Sequence, residues 1–251
     1  MSDSLAALHT SVDRLATLVA PLDDATLRSP AYPSEWTIAD TLSHLGSGAV
    51  IFLRLVDDAL AGVETPGDMF PTVWDEWNAK SPTEQAADAL VADRALLDRL
   101  EGLDDQGRDR IHLSMGPMTV DFAGLVDMRL GEHALHTWDV EVALDPSATV
   151  GPEAADRLID RLERFATFTA TPTGSERTLS IVTVEPRRGL QVVLAADAVT
   201  LSSVDPVEAP DVVLPAEAFV RLVYGRLDAD HTPEGPGDDD LEELRRAFPG
   251  G

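Results

Sequence analysis

The sequence contains no cysteine, and this absence restricts the chemistry of the protein more than any other feature of its composition. Without cysteine the chain has no disulfide, no thiolate ligand for zinc and no cysteine nucleophile. Any metal ion must therefore be held by nitrogen and oxygen atoms. Any thiol chemistry must use a thiol supplied from outside the chain.

Positive charge is also scarce. Lys80 is the only lysine, and 19 basic residues stand against 45 acidic ones, so the formal net charge is −26. This charge repels the phosphate backbone of nucleic acids and anionic lipid surfaces, and we expect neither as a partner. The sequence has no apolar run of about 18 residues and no basic segment followed by an apolar one at its start. We therefore expect no membrane span, no export signal and a cytoplasmic location.

In the first part of the chain, apolar residues recur at spacings of three and four, which predicts amphipathic helices. Thr37 and Asp40 have the spacing of a capping box, and Asp121 is a suitable N-cap for a later helix. The helices are expected at residues 4–20, 37–61, 83–103 and 121–145, with a loop over 62–82. Four helices joined by short or moderate loops indicate a four-helix bundle.

After Pro152 the pattern changes to one more helix followed by alternating, strand-like segments. We predict a helix over 154–168, strands over 178–184, 190–194 and 198–201, an optional strand over 211–214, a helix over 215–224 and a short final helix. The predicted fold class is α+β. The helical bundle is expected to occupy residues 1–148, and a smaller α+β domain is expected to occupy residues 149–251.

Two polar side chains interrupt the apolar face of the fourth predicted helix. Glu132 and His136 lie one turn apart in the row formed by Leu125, Met128, Asp139 and Ala143. A buried carboxylate needs a cation, a proton or a hydrogen-bonding partner, because an unpaired buried charge costs several kcal/mol. Either the two residues pair with each other or with an arginine, or they supply two metal ligands from one helix face.

A metal site would need a third ligand from another helix, and His44 in the second helix is the candidate. Its neighbours Ser43, Gly46, Ser47 and Gly48 are poor helix formers, so they either allow close helix packing around a core histidine or leave room for a ligand. Trp74 and Trp77, one turn apart in the following segment, are interpreted as a hydrophobic plug rather than a lid. The third helix, with Leu90, Leu97 and Leu100 or Val91, Leu96 and Leu103 on its buried side, is expected to contribute packing only.

With these three residues in place, the chain resembles the mycothiol-dependent maleylpyruvate isomerase family. The resemblance rests on Trp36-Thr37-Ile38-Ala39-Asp40-Thr41-Leu42-Ser43-His44-Leu45 and on Arg129-Leu130-Gly131-Glu132-His133-Ala134-Leu135-His136-Thr137-Trp138-Asp139. It implies a DinB-like four-helix bundle followed by a smaller α+β domain. It also implies that His44, Glu132 and His136 hold a divalent metal ion, with Zn²⁺ as the expected ion, and that mycothiol or a similar small thiol is the cofactor or co-substrate.

The resemblance further implies a small-molecule electrophile as substrate. Three protein ligands leave an open position that a thiol can occupy. Addition of the thiol to a cis double bond, rotation and elimination would make the protein an isomerase, whereas displacement of a leaving group would make it an S-transferase. A non-catalytic protein that binds metal or a small molecule is the alternative of a different class.

Two further residues carry expectations. Gly225-Arg226 resembles the Gly-Arg ending of such C-terminal domains, and an arginine there could bind a carboxylate through two hydrogen bonds. A helix cap with a surface arginine explains Arg226 equally well, and Arg221 is an equal candidate for the same role. Asp139 is expected to accept the ring N–H of His136 that a metal does not use, with a salt bridge to Arg129 as the alternative.

Overall fold

The computed structural model describes residues 3–33, 35–115, 118–233 and 238–250, and the chain divides into two compact units, Met1–Ala148 and Thr149–Gly251. The first unit is helical apart from one hairpin, and the second combines a four-stranded sheet with helices. This combination confirms the α+β fold class expected from the sequence.

Four long helices form the bundle of the first unit, and shorter elements connect them. In chain order the helices are α1 (Asp3–Val19), α2 (Asp24–Leu27), α3 (Ile38–Ala61), α4 (Met69–Asn78), α5 (Pro82–Glu101), α6 (Asp105–Asp109) and α7 (Phe122–Leu144). The antiparallel hairpin of β1 (His112–Met115) and β2 (Met118–Asp121) leads directly into α7. The bundle helices α1, α3, α5 and α7 are those expected from the apolar spacing.

The starts of these helices follow from local capping. Thr37 and Asp40 form both bonds of a capping box before α3, and Asp121 accepts a hydrogen bond from a backbone N–H at the start of α7, as expected. Ser81 and Glu84 form a second capping box before α5. These side chains satisfy backbone N–H groups that have no partner inside the helix.

The segment between α3 and α5 differs from the expectation, because α4 occupies about half of the predicted loop. Trp77 on α4 is buried and packs on α3, where a Cβ at Gly46 would lie 2.2 Å from its ring. Phe70, Val73, Trp74 and Trp77 recur at spacings of three and four, so the segment has the apolar period of an amphipathic helix, and burial of the Trp77 ring stabilises it. Trp77 is thus a hydrophobic plug, as interpreted from the sequence, whereas Trp74 is half exposed.

Helix α7 has protein on nearly all sides. From Arg129 to Val140 every residue is buried except Glu132, which is partly exposed. A helix that is buried around its whole circumference has no single apolar stripe, so its polar residues must find partners within the bundle. Between Arg129 and Val140, Glu132 is therefore the residue at which this central helix reaches the surface.

The second unit contains a mixed sheet with the strand order β5-β4-β3-β6. Its strands are β3 (Arg177–Val184), β4 (Arg188–Leu194), β5 (Val199–Val204) and β6 (Val212–Pro215), of which β6 runs parallel to β3 and the others pair antiparallel. Its helices are α8 (Pro152–Leu158), α9 (Leu162–Thr169), α10 (Ala216–Val223) and α11 (Asp238–Ala247).

One predicted helix of this unit is divided in two. A 3₁₀ turn over Ile159–Arg161 separates α8 from α9. Neither proline nor glycine lies at this turn, so the sequence contains no local signal for the break.

Within the described ranges, no helix is both long enough and apolar enough to cross a membrane.

Candidate metal centre

Two helices bring the three predicted metal ligands together. His44 comes from α3, and Glu132 and His136 come from α7. One ligand atom from each residue can be chosen so that all three lie within 4.8 Å of one another. Among the residues that the structure describes, this is the one group of three acidic or histidine side chains with such an arrangement.

The spacing of the donor atoms fits a common metal ion. Oε2 of Glu132 lies 3.1 Å from Nε2 of His44 and 3.7 Å from Nε2 of His136. Ligands about 2.0–2.1 Å from a tetrahedral zinc ion are about 3.3–3.4 Å apart, which falls between these two distances. Two imidazole nitrogens and one carboxylate oxygen are also a donor set that zinc accepts.

The cluster is open on one side. The side chains of His44 and Glu132 are 40% and 45% exposed, whereas that of His136 is 11% exposed. Structural zinc sites are closed by four protein ligands, and catalytic sites keep a position for water or substrate. A set of three candidate ligands, two of which are at the surface, has the pattern of the second type.

Glu132 is held in its ionised form by its neighbours. Burial alone would raise the pKa of Glu132, but the hydrogen bond with His44 and the charges of His136, His44 and Arg129 outweigh it and lower the pKa to about 2. A carboxylate must be deprotonated to bind a metal ion, so Glu132 is in the form that coordination requires.

Asp139 lies behind His136, as expected from their spacing. Its Oδ2 is 2.8 Å from Nδ1 of His136, and the carboxylate is fully buried. Arg129, the alternative partner considered for Asp139, instead pairs with Asp93 on α5. A carboxylate at Nδ1 leaves Nε2 of His136 facing Glu132, which is the orientation that a metal-binding histidine needs.

Trp36 belongs to the cluster, although the sequence reasoning gave it no role. Its ring stacks on that of His136 at 5.9 Å and lies 5.3 Å from that of His44. The loop before α3 holds this position, because the backbone N–H of Tyr32 donates to the carbonyl of Asp139 at 3.1 Å. The signal available in the sequence was that Trp36 directly precedes the capping residue of the helix that carries His44.

The small residues near His44 do not leave room for a ligand at the two glycines. The space next to Gly46 is filled by Trp77, and a Cβ at Gly48 would lie 3.0 Å from Nη1 of Arg129. Of the two alternatives considered for these small residues, close packing is the one present at both glycines. Their absent side chains admit two large side chains between the bundle helices.

A second polar cluster lies inside the bundle and is closed to solvent. Arg129 donates to the carbonyl of Leu45 at 2.9 Å and pairs with Asp93, whose other oxygen lies 3.3 Å from Nε2 of His133. Nδ1 of His133 shares a hydrogen bond of 2.8 Å with Oγ of Ser11 on α1. Asp93 and Arg129 are each 2% exposed and His133 is fully buried, so no substrate can reach this cluster as it stands.

Asp93 corrects the expectation that α5 contributes packing only. Burial acts to raise the pKa of Asp93, but its interactions with His133 and Arg129 outweigh burial and hold the pKa below its usual range. Asp93 lies in the buried row with Ala89, Leu96 and Leu100, and Val91, which was placed on that side, is 69% exposed. The sequence therefore contained a signal for this buried cluster, namely an acidic residue within an apolar row.

The two arginines considered in the C-terminal unit have different surroundings. Arg221 is buried, and its guanidinium donates to Glu217 at 2.8 and 3.1 Å and to the carbonyl of His231 at 3.0 Å. Arg226 is partly exposed, and its Nη1 donates to the carbonyl of Tyr224 at 3.0 Å. The hydrogen bonds of Arg221 thus join residues within the C-terminal unit, and Arg226 is the more accessible of the two arginines.

Comparisons with known proteins agree with this architecture. The family model for the mycothiol maleylpyruvate isomerase N-terminal domain matches residues 8–141. A crystal structure of the mycothiol-dependent maleylpyruvate isomerase is similar with a TM-score of 0.63 and 16% identity, over 93% of this chain and 95% of that one. The structure of a variant of that enzyme with one histidine changed to alanine has the same TM-score and identity, over 89% and 88%. At this identity the likeness shows the fold, and no curated protein matches the chain significantly.

Proposed function

Because the chain belongs to the mycothiol maleylpyruvate isomerase family through its N-terminal domain, we propose that its bundle is a metal-dependent active site for a small thiol. The thiol is mycothiol or a similar low-molecular-weight thiol, and the substrate is a small electrophile. The reaction is isomerisation of the maleylpyruvate type, with S-transfer to another electrophile as the second version. The observation that supports the proposal most directly is the convergence of His44, Glu132 and His136 within 4.8 Å.

Each residue of the cluster has a defined task in this proposal. His44, Glu132 and His136 would hold the divalent ion through two Nε2 atoms and one carboxylate oxygen. When bound, the ion lowers the pKa of a thiol in its open position, so that the thiolate is available near neutral pH. Asp139 keeps the proton of His136 on Nδ1 and so keeps Nε2 free for coordination. Trp36 covers the rings of both histidines and restricts their rotation.

The two versions of the reaction differ in the fate of the carbon–sulfur bond. In isomerisation, the thiolate adds to one carbon of a cis double bond that a neighbouring carbonyl activates, and the electron pair moves onto that carbonyl. Rotation about the resulting single bond and loss of the same thiolate restore the double bond in the trans form. In S-transfer, a different leaving group departs with its electron pair and the new carbon–sulfur bond remains. Both versions need an external thiol, because the chain has no cysteine.

We assign binding of a substrate carboxylate to Arg226 rather than to Arg221. The guanidinium of Arg221 already serves Glu217 and two backbone carbonyls inside the C-terminal unit. A planar guanidinium that solvent can reach binds carboxylates in a bidentate manner. Arg226 is partly exposed and so meets the requirement of access.

Cobalt substitution tests the proposed function. The protein loaded with Co²⁺ should develop a sulfur-to-metal charge-transfer band when mycothiol is added. Calorimetry in two buffers of different ionisation enthalpy should report release of about one proton per bound thiol. The His136→Ala variant, treated in the same way, is the control and should show neither signal. Equal thiol binding to metal-free protein, with no proton released and no new band, would favour the non-catalytic binding protein instead.

A further inference from the structure

The closed polar cluster of Ser11, Asp93, Arg129 and His133 lies next to the candidate metal ligands along the chain. Leu45, whose carbonyl accepts the hydrogen bond from Arg129, directly follows His44. Arg129 and His133 lie on either side of Glu132 on α7. We propose that this cluster sets the register between α3 and α7, and that Arg129 and Asp93 are thereby positioning residues for the metal site. The inference rests on the proposed function of that site.

The cluster connects all four bundle helices through directional contacts. Ser11 lies on α1, Leu45 on α3, Asp93 on α5, and Arg129 and His133 on α7. The hydrophobic effect is nondirectional, so apolar packing distinguishes neighbouring registers less sharply than directional hydrogen bonds do. Buried hydrogen bonds have partners in one register only, because a shift leaves polar groups unpaired in the core.

The local geometry explains why this register matters for metal binding. His44 is the one candidate ligand on α3, whereas the other two share α7 and keep a constant spacing. The distance of 3.1 Å between Nε2 of His44 and Oε2 of Glu132 therefore depends on the relative position of two helices. Arg129 links these helices one residue away from His44 and one turn away from Glu132. Gly48 keeps the space that the guanidinium occupies, since a Cβ there would lie 3.0 Å from Nη1.

The test replaces the buried ion pair by apolar side chains of similar size, in the variant Asp93→Leu with Arg129→Met. Removing both partners avoids an unpaired buried charge, and such replacements are often neutral or favourable for stability. The variant should therefore fold and unfold cooperatively in the presence of a chelator. Its zinc affinity, measured by competition with a chromophoric chelator, should be weaker by about 10-fold or more, the range found for outer-sphere partners. The visible spectrum of its Co²⁺ form should also change.

A matched control removes a different ion pair from the same helix. Arg14 on α1 and Glu141 on α7 pair at 2.5 Å, closer to the surface and beyond His136. The variant Arg14→Met with Glu141→Leu should keep the zinc affinity and the cobalt spectrum of the wild type. Wild-type affinity and spectrum in Asp93→Leu with Arg129→Met would overturn the positioning role. Absence of metal binding by the wild type would instead overturn the proposed function.

The conservative variant Arg129→Lys decides the question if the double variant does not fold. Lysine keeps a positive charge, but its ammonium ends one bond short of the Nη2 atom with which Arg129 contacts both Asp93 and the carbonyl of Leu45. We expect a folded protein with a smaller loss of zinc affinity than in the double variant. A folded Arg129→Lys protein with unchanged affinity and an unchanged cobalt spectrum would contradict the inference.

Discussion

Helix α7 carries two polar clusters that use similar residues in opposite ways. Glu132 and His136 meet His44 where the bundle opens to solvent, whereas Arg129 and His133 meet Asp93 where it is closed. In the open cluster the carboxylate is 45% exposed and has two histidines within 3.7 Å. In the closed cluster the carboxylate has an arginine as a permanent counter-charge and a backbone-anchored network around it.

The difference between the clusters shows that residue type alone does not assign a role. A carboxylate paired with arginine is already compensated, and burial keeps other cations away. A carboxylate that faces only imidazoles at the surface can exchange that interaction for a metal ion, because neutral imidazole is itself a ligand. Solvent access and the presence of a permanent cation therefore separate the candidate metal site from the structural cluster.

The largest expected effect concerns the open cluster. The purified wild type should carry about one divalent ion per chain, and alanine at His44, Glu132 or His136 should remove it. Metal analysis after gel filtration checks this. In the presence of a chelator, Glu132→Ala should change the free energy of unfolding by less than about 1 kcal/mol, since exposed ion pairs contribute little. One metal ion per chain in all three variants would show that these residues do not form the metal site.

The next effect concerns the closed cluster, where a single replacement should be severe. Asp93→Ala leaves the charge of Arg129 buried and unpaired, so the free energy of unfolding should fall by about 3–5 kcal/mol. Denaturant unfolding in the presence of a chelator measures this.

The acid dependence provides a check on the same residue. The pKa of Asp93 is lowered in the folded state, so its contribution is complete above the unfolded pKa of about 3.9 and is lost as the pH falls toward the folded pKa. The difference between wild type and Asp93→Ala should therefore shrink below about pH 4. If Asp93→Ala lowered the free energy of unfolding at neutral pH by less than Glu132→Ala does, the comparison between the two clusters would be reversed.

A smaller effect is expected at Asp139, which supports the open cluster from the buried side. Asp139→Asn removes the charge 2.8 Å from Nδ1 of His136 and should weaken metal affinity by about 10-fold or more. The fold should remain, because the amide has a similar size and can accept a hydrogen bond. Competition with a chelator measures the affinity, and circular dichroism serves as the control. Unchanged affinity would show that Asp139 has no role in the site.

The smallest effect should come from Gly48→Ala, which connects the two clusters. The added Cβ would lie 3.0 Å from Nη1 of Arg129, so the guanidinium must move by a few tenths of an ångström. Because this displacement stays below the roughly 0.5 Å that a functional site tolerates, we expect a loss of zinc affinity of no more than roughly threefold. Stability should change little, since the gain in helix propensity of about 1 kcal/mol offsets the crowding. If Gly48→Ala lost more zinc affinity than Asp139→Asn, the ranking of the two effects would be wrong.

Much of the fold follows from local patterns. The spacing of apolar residues predicted the four bundle helices, and the capping residues Thr37 and Asp121 marked the starts of α3 and α7. Helix α4 was predicted as a loop, although Phe70, Val73, Trp74 and Trp77 recur at helical spacing, and the burial of Trp77 on α3 adds to its stability. The break between α8 and α9 has no proline or glycine, so local sequence signals did not predict it.

The candidate site was predictable where its residues share one helix or a recognisable motif. Glu132, His136 and Asp139 lie on one face at spacings of three and four, and these spacings hold in any α-helix. The contribution of Trp36 depends on a loop held by the backbone of Asp139, and that contact lies far away in the sequence. Asp93 was visible as an acid in an apolar row, but its partners come from other helices.

The sequence by itself therefore determined the absence of internal thiols, the helical periods, the caps and the ligand pair on α7, because each of these depends on residues within one turn of each other or on composition. The tertiary structure decided how close His44 comes to the pair on α7, which carboxylate is closed to solvent and which is open, and which large side chains fill the space at Gly46 and Gly48. These depend on how separate helices are placed, which is set by long-range packing and by buried hydrogen bonds that local spacing does not specify.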